Sequence, residues 1–256
     1  MALFYLLPIY VLLITGLKSF QEVDLGTMWH LPSGFHLDNF RAAFDALRPN
    51  LWNSVSMAVP AAILSSILGS LNGYVLAKWK FPGANLIFAA FLFGMFIPYQ
   101  SILIPLVIFM RNIGLYGGVP GLILVHIVYG IPITTLIFRN YYATIPDTML
   151  EASAMDGAGL LRTYWYIILP LSAPSFAVAL IWQFTSIWNE FLFAIILTKP
   201  KQWPVTVALN NLAGSQIVEW NVQMAGALLA AIPTLIVYIF LGRYFLRGLM
   251  TGAVKG

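Results

Sequence analysis

The sequence predicts an all-α integral membrane fold with six transmembrane helices, and three observations predict it. Charged residues make up 9% of the 256 residues and hydrophobic residues 60%, whereas a soluble domain carries about 25% charged residues. The few charges leave long charge-free runs at 1–17, 49–77, 81–110, 112–138, 163–189 and 220–242. A helix needs roughly 20 residues to cross a hydrocarbon core of ~30 Å, and the last five runs exceed that. Finally, small residues recur at helical steps of three and four inside one run, and prolines sit inside several, as in packed and kinked membrane helices.

Taken in order, the spans fall near 2–18, 53–77, 86–110, 119–138, 172–197 and 223–243, within a single domain over 1–256. The first lacks a basic leading segment and an A-x-A-like cleavage site, so it is expected to be a span and not a signal peptide, with some cytoplasmic residues before it. The second carries Ala58, Ala62, Ser65, Ser66, Gly69 and Gly73 on one face. Such a stripe lets backbones approach closely, within the chain or at a subunit interface. Pro60, Pro98, Pro105, Pro132 and Pro233 each remove a backbone donor from a span.

Polar side chains in apolar runs are costly and face a cavity or a partner. Gln100, Ser101, His126, Gln183, Thr185, Ser186, Asn189 and Glu190 are of this kind, and Glu190 is the only acidic residue inside a span. His126 is expected to be packed and hydrogen-bonded. The Trp188-Asn189-Glu190 cluster is either a helix–helix clamp or part of a path through the membrane.

Six spans place both termini on one side. With that side cytoplasmic, the inner segments hold seven basic residues, Lys78, Lys80, Arg139, Arg162, Arg243, Arg247 and Lys255. The longer outer segments hold six, Lys18, Arg41, Arg48, Arg111, Lys199 and Lys201, a weak positive-inside bias.

Several chemistries have no residues to carry them. The absence of cysteine removes disulfides, thiolate metal sites and thiol nucleophiles. No phosphate-binding G-x-x-x-x-G-K-[ST] loop, H-E-x-x-H pair, G-x-S-x-G elbow or clustered His/Asp set occurs, so neither catalysis nor a metal site is expected. The net charge of +4 is scattered and suggests no nucleic-acid surface.

The segment 141–170, YYATIPDTMLEASAMDGAGLLRTYWYIILP, is the most informative. Pro146 suits the first helical position and Asp147 the first turn. Gly157 can stop that helix, and Leu160, Leu161, Tyr164, Trp165 and Ile168 then recur at helical spacing. Two short helices follow, either a projecting knob of small side chains or an interfacial connector.

E-A-S-A-M-D-G-A at 151–158 and I-I-L-P at 167–170 resemble the EAA motif of ABC-importer permeases. Gly157, Ile167, Leu169 and Pro170 are in register, and Ser153 stands where the family has alanine. The resemblance covers nearly the whole chain and is greatest to the smaller, maltose-type permease of carbohydrate importers. N-S at 53–54, Y-V-L-A-K-W-K-F-P-G at 74–83, I-P-Y-Q-S-I-L-I-P-L at 97–106, W-N-E-F-L-F-A at 188–194 and R-G-L-M-T-G-A-V-K-G at 247–256 carry it.

The resemblance implies the type I importer permease fold, with 141–170 a cytoplasmic two-helix coupling loop. It implies a half-channel in the inner membrane of a prokaryote, both termini cytoplasmic. The expected partners are a second permease completing a heterodimer, two ATP-binding subunits that use ATP and magnesium, and an extracytoplasmic sugar-binding protein. The chain itself is expected to bind no cofactor. Glu151, Ala152, Ser153, Ala154, Asp156, Gly157, Arg162 and Pro170 are the expected coupling residues. Gln100, Trp188 and Asn189 are expected along the translocation path, and Thr251, Gly252 and Lys255 in a tail that contacts the ATP-binding subunits. W-P-V-T-V-A-L-N-N-L-A-G at 203–214 and W-N-V-Q-M-A-G-A at 220–227 look similar to glucose/mannose systems, pointing to a monosaccharide. The competing classes are an ion-coupled secondary transporter working through Glu190 and a non-transporting membrane scaffold.

Overall fold

Helices account for almost all of the regular structure. The structure, a computed structural model, describes residues 2–214 and 218–253. The helices are α1 (Ala2–Gly16), α2 (Asp38–Lys78), α3 (Ala84–Met95), α4 (Leu103–Asn112), α5 (Val119–Ala143), α6 (Asp147–Met155), α7 (Leu160–Thr163), α8 (Leu169–Leu171), α9 (Ala173–Trp188), α10 (Leu192–Leu197), α11 (Val205–Ala213) and α12 (Trp220–Ala253).

Three of the expected spans are continuous: α2, α5 and α12 are long and apolar enough to cross a membrane. The other two long runs are broken. The run 86–110 divides into α3 and a second piece, Tyr99–Asn112, with an 86° bend between them. The run 172–197 ends as a helix at Trp188, restarts at Leu192, and meets the preceding arm Leu160–Leu171 at 77°. Counting each bent pair as one span gives up to five, and Phe4–Gly16 is a shorter apolar helix.

α2 also begins at Asp38, not near residue 53, so its 41 residues extend roughly 60 Å at 1.5 Å per residue. Asp38 sits in its first turn and Lys78 in its last, matching the helix dipole at both ends.

The α2–α5 pair is the centre of the fold, and the small-residue stripe makes it possible. A Cβ on Gly69 would lie 2.1 Å from Thr134 Oγ1, and one on Gly73 2.7 Å from the Phe138 Cβ. The stripe therefore serves close packing within the chain. Thr134 also donates to the Ser65 carbonyl across the pair, 2.9 Å.

Two buried clusters flank this seam. The larger joins Met57, Ala61, Leu122, Val125, Ile187, Trp188 and Phe193. The smaller, at the end carrying the 141–170 segment, joins Tyr74, Phe138, Tyr142, Ile145, Tyr164, Ile168 and Ala179.

The opposite end is tied by amides. Asn39 donates to the carbonyls of Gly16 and Lys18, at 3.0 and 2.8 Å, and its own oxygen accepts from Asn221 at 2.9 Å. Lys18 is buried and its ammonium donates to the Thr27 carbonyl. Beside it the Ser33 hydroxyl and the backbone N–H groups of Ser19 and Ser33 hold the Glu22 carboxyl down to about 2. The N-S pair at 53–54 fastens the segment before α11: Asn53 donates to the carbonyls of Lys201 and Trp203, and Ser54 Oγ accepts from Val205 N–H at 2.8 Å.

Candidate functional site

The two breaks in the spans are built differently and meet. At the first, Pro98 has no N–H, and Tyr99–Ile102 tighten into a 3-10 turn held by Ser101, whose hydroxyl donates to the Pro98 carbonyl at 2.7 Å. At the second, Asn189 closes α9 by donating to the Thr185 carbonyl at 2.8 Å. Glu190 then opens α10: its carboxylate accepts from Phe193 N–H at 2.7 Å and Ala194 N–H at 3.1 Å. A carboxylate at a helix N-terminus satisfies orphan donors and meets the positive end of the dipole. Glu190 thus finds its partners in the backbone of its own chain.

The Tyr99 ring packs on Phe193 with centroids 4.9 Å apart, Tyr129 on the same ring at 5.2 Å, and His126 at 6.0 Å. His126 is packed as expected, but its Nε2 has no partner among the described residues. In transporters, interrupted helices tend to line a cavity, where the freed backbone groups find partners.

The expected path residues lie differently around this junction. Gln100 is exposed in the turn after the first break, and Asn189 is exposed at the second. Trp188 points inward: it is 2% exposed, donates its indole N–H to the Ala230 carbonyl at 3.0 Å and stacks on Phe184. The exposed face of α9 instead carries Trp182, Ser186 and Asn189, spaced at four and three residues and so in one row. Between α9 and α12 a cavity of about 360 Å³ is lined by Trp182, Thr185, Ser186 and Tyr238 among others. Trp182 and Tyr238 escaped the sequence reading because aromatic residues are unremarkable in apolar runs. The helical spacing of Trp182 from Asn189 was the available signal.

The 141–170 segment forms the expected short helices. Pro146 takes the capping position just before α6 and Asp147 the first helical one. Lys78, at the end of α2, donates to the Asp147 carboxylate at 2.7 Å and also to the Ile145 carbonyl. That hydrogen bond, then the Lys78 charge, hold the Asp147 carboxyl below the usual carboxylate range.

Gly157 stops α6 with φ at +76°. Its N–H bonds the Ala154 carbonyl at 3.0 Å and the Ala158 N–H bonds the Ser153 carbonyl at 2.9 Å, the paired bonds of a Schellman cap. Glu151, Ala152, Ala154, Asp156, Gly157 and Arg162 are exposed together, a small-residue surface edged by two acids and a base. Ser153 alone of residues 151–158 is buried, 3.0 Å from the Thr163 hydroxyl, and so ties α6 to α7. Tyr164–Ile168 form a π-helical turn before Pro170, which is exposed at the end of the arm. Of the tail, the helix backbone runs on to Ala253 and includes Thr251 and Gly252, while Lys255 lies outside the described residues.

No group of three or more His, Cys, Asp and Glu residues suited to a metal ion occurs among the described residues.

Comparison with known proteins agrees with this architecture. The family described as "Binding-protein-dependent transport system inner membrane component" matches residues 65–250. A probable ABC transporter permease protein of Pyrococcus horikoshii is 46% identical over 100% of this chain and 94% of its own length. The xylose/arabinose import permease of Haloferax volcanii is 35% identical over 98% of this chain and 89% of its own. A chain of a bacterial ABC transporter that imports the acidic polysaccharide alginate superposes with a TM-score of 0.81 at 23% identity, over 95% of this chain and 92% of that one, and so shares the fold. On its helical architecture, its 141–170 loop and these matches, the chain belongs to the inner-membrane permease components of binding-protein-dependent ABC transport systems.

Proposed function

We propose that this chain is one half of the channel of an ATP-driven sugar importer. It pairs with a second permease, and six crossings leave both termini in the cytoplasm. Two ATP-binding subunits, which use ATP and magnesium, grip the 141–170 loop, and an extracytoplasmic binding protein delivers the sugar. Cargo then crosses by alternating access.

The observation that carries this reading is the exposed α6 surface. Ala152 and Ala154 leave room for another protein to come close, Glu151, Asp156 and Arg162 supply charge-assisted bonds at its rim, and the Gly157 cap keeps the knob short. The relative that imports xylose and arabinose supports a monosaccharide as cargo, with glucose or mannose our lean from the 203–214 and 220–227 segments.

Along the path, Gln100, Asn189 and the Trp182–Ser186 row offer amide, hydroxyl and aromatic contacts of the kind a sugar uses. Trp188 supports that row from behind. The tail at Thr251, Gly252 and Lys255 reaches the ATP-binding subunits. Glu190, committed to capping α10, leaves little basis for ion coupling.

The test is uptake of labelled glucose, mannose and xylose by the reconstituted complex, with hydrolysable ATP and with a non-hydrolysable analogue. Uptake with ATP alone supports the importer, and equal uptake with both nucleotides overturns it. Asn189→Ala in an assembled complex should lower uptake; unchanged uptake removes Asn189 from the path.

A further inference from the structure

A chain of four buried hydroxyls joins the arm 160–172 to both central helices. Tyr164, in the π-helical turn, lies 2.8 Å from Ser70 Oγ on α2. Ser70 Oγ lies 2.6 Å from the Tyr142 hydroxyl on α5. Ser172, at the corner between the arm and α9, lies 2.9 Å from that same Tyr142 hydroxyl. Ser70, Tyr142 and Ser172 are fully enclosed and Tyr164 is 1% exposed. Tyr74 of α2 packs on the Tyr164 ring at 5.6 Å and on the Tyr142 ring at 6.3 Å.

Three features make this more than packing. A hydroxyl buried without a partner is costly, so the four groups hold one another in place. The π-helical turn that presents Tyr164 is a rare local geometry, frequent at functional positions. The node also sits at the 77° corner, where the arm leaves the bundle. A cantilever delivers force only if its root is fixed, and among the described residues this node and the Lys78–Asp147 pair tie the loop to α2 by side chains.

We propose that Tyr164, with Ser70 as its anchor, is a positioning residue for coupling: it clamps the arm to α2 and α5, so that displacement of α6 moves those helices as one body. This rests on the reading that α6 docks on an ATP-binding subunit. Without the clamp, the docked loop would swing on its own while the bundle lagged.

The experiment uses the full reconstituted complex carrying Tyr164→Phe, Ser70→Ala or both, with Glu151→Lys in parallel. Each variant is checked for assembly and melting temperature, then for ATP hydrolysis and sugar uptake. Tyr164→Phe and Ser70→Ala should keep stimulated hydrolysis while sugar moved per ATP falls about five-fold, a modest loss of coupling. The double variant should be no worse than Ser70→Ala, because both act through one node. A parent-like ratio in the clamp variants with hydrolysis lost in Glu151→Lys overturns the clamp alone. Parent behaviour in Glu151→Lys as well overturns the docking reading and the clamp with it. Should the variants fail to assemble, spin labels on the parent at Met155 and at Trp79, the exposed residue that caps α2, decide the matter. Their separation should stay constant between nucleotide-free and ATP-bound complexes, and a change overturns the proposal.

Discussion

Gly157 has left-handed backbone and open space around it: a Cβ built there meets nothing within 4 Å. Any penalty for a side chain within this chain is therefore conformational, about 1–2 kcal/mol for an L-residue at positive φ and more for a β-branched one. Gly157→Val should cut stimulated ATP hydrolysis and uptake about ten-fold, equivalent to roughly 1.4 kcal/mol. Gly157→Asn, which tolerates this conformation, should be milder. If Asn and Val are equally severe in assembled complexes, bulk against a partner and not backbone strain is responsible. Asp147 gives a pH dependence. Its carboxyl is depressed in the folded chain by Lys78, so the anchorage is complete above the ordinary carboxylate pKa of about 4 and is lost as pH falls through the lower folded value. The chain has no cysteine, so a fluorophore on Met155→Cys would report the loop alone. Its mobility should rise at acid pH in the parent, while Asp147→Asn should be mobile already at neutral pH and change little on acidification. A pH-dependent rise of parent size in Asp147→Asn would exclude this pair as the cause.

Helix α2 shows what was legible in the sequence and what was not. Its inner part stood out because a charge-free run reports membrane contact, and the Gly69–Gly73 stripe reported close approach. Its N-terminal part, with Asp38, Arg41, Asp45 and Arg48, was invisible to the same rule, since charges exclude lipid contact but not helix. The breaks were half visible. Five prolines were expected to kink spans; Pro60, Pro132 and Pro233 lie inside helices that continue past them, whereas Pro98 marks a break. Packing separates the cases in part: α2 and α5 are buried against each other along the seam, whereas α3 has no buried residue and is held to α5 at its start, by Arg139 on Asn85 and Phe88. The second break needed Glu190 recognised as a cap, but a glutamate inside an apolar run looks first like a functional charge. Gly69→Ala should destabilise the fold by roughly 1–3 kcal/mol through overpacking against Thr134, read as a lower melting temperature of the purified complex. Gly94→Ala, with nothing within 4 Å, should not. Equal melting of the two variants would mean that the seam relaxes around an added methyl group.

At the scale of the whole molecule, the chain has a well-packed seam and large apolar areas that its own fold leaves uncovered. α12 is mostly unburied along its span, and α3 buries nothing. A single copy in liposomes should therefore accumulate no sugar under a proton or sodium gradient, and should not hydrolyse ATP. Both activities should appear only when the partner subunits are supplied. Accumulation by the chain alone, driven by an ion gradient, would replace the importer with a secondary transporter. The length of α2 has a further consequence. A continuous helix with a contour of roughly 60 Å is about twice as long as the hydrocarbon core is thick. One end is knotted to Gly16 and Lys18 through Asn39, and the other is bonded to the loop through Lys78. If α2 moves as one body, a tilt imposed at one end displaces the other, and the coupling between its ends is reciprocal. On the proposed importer reading, occupancy of a site at one end of α2 and the nucleotide state at the other would be linked through this one helix.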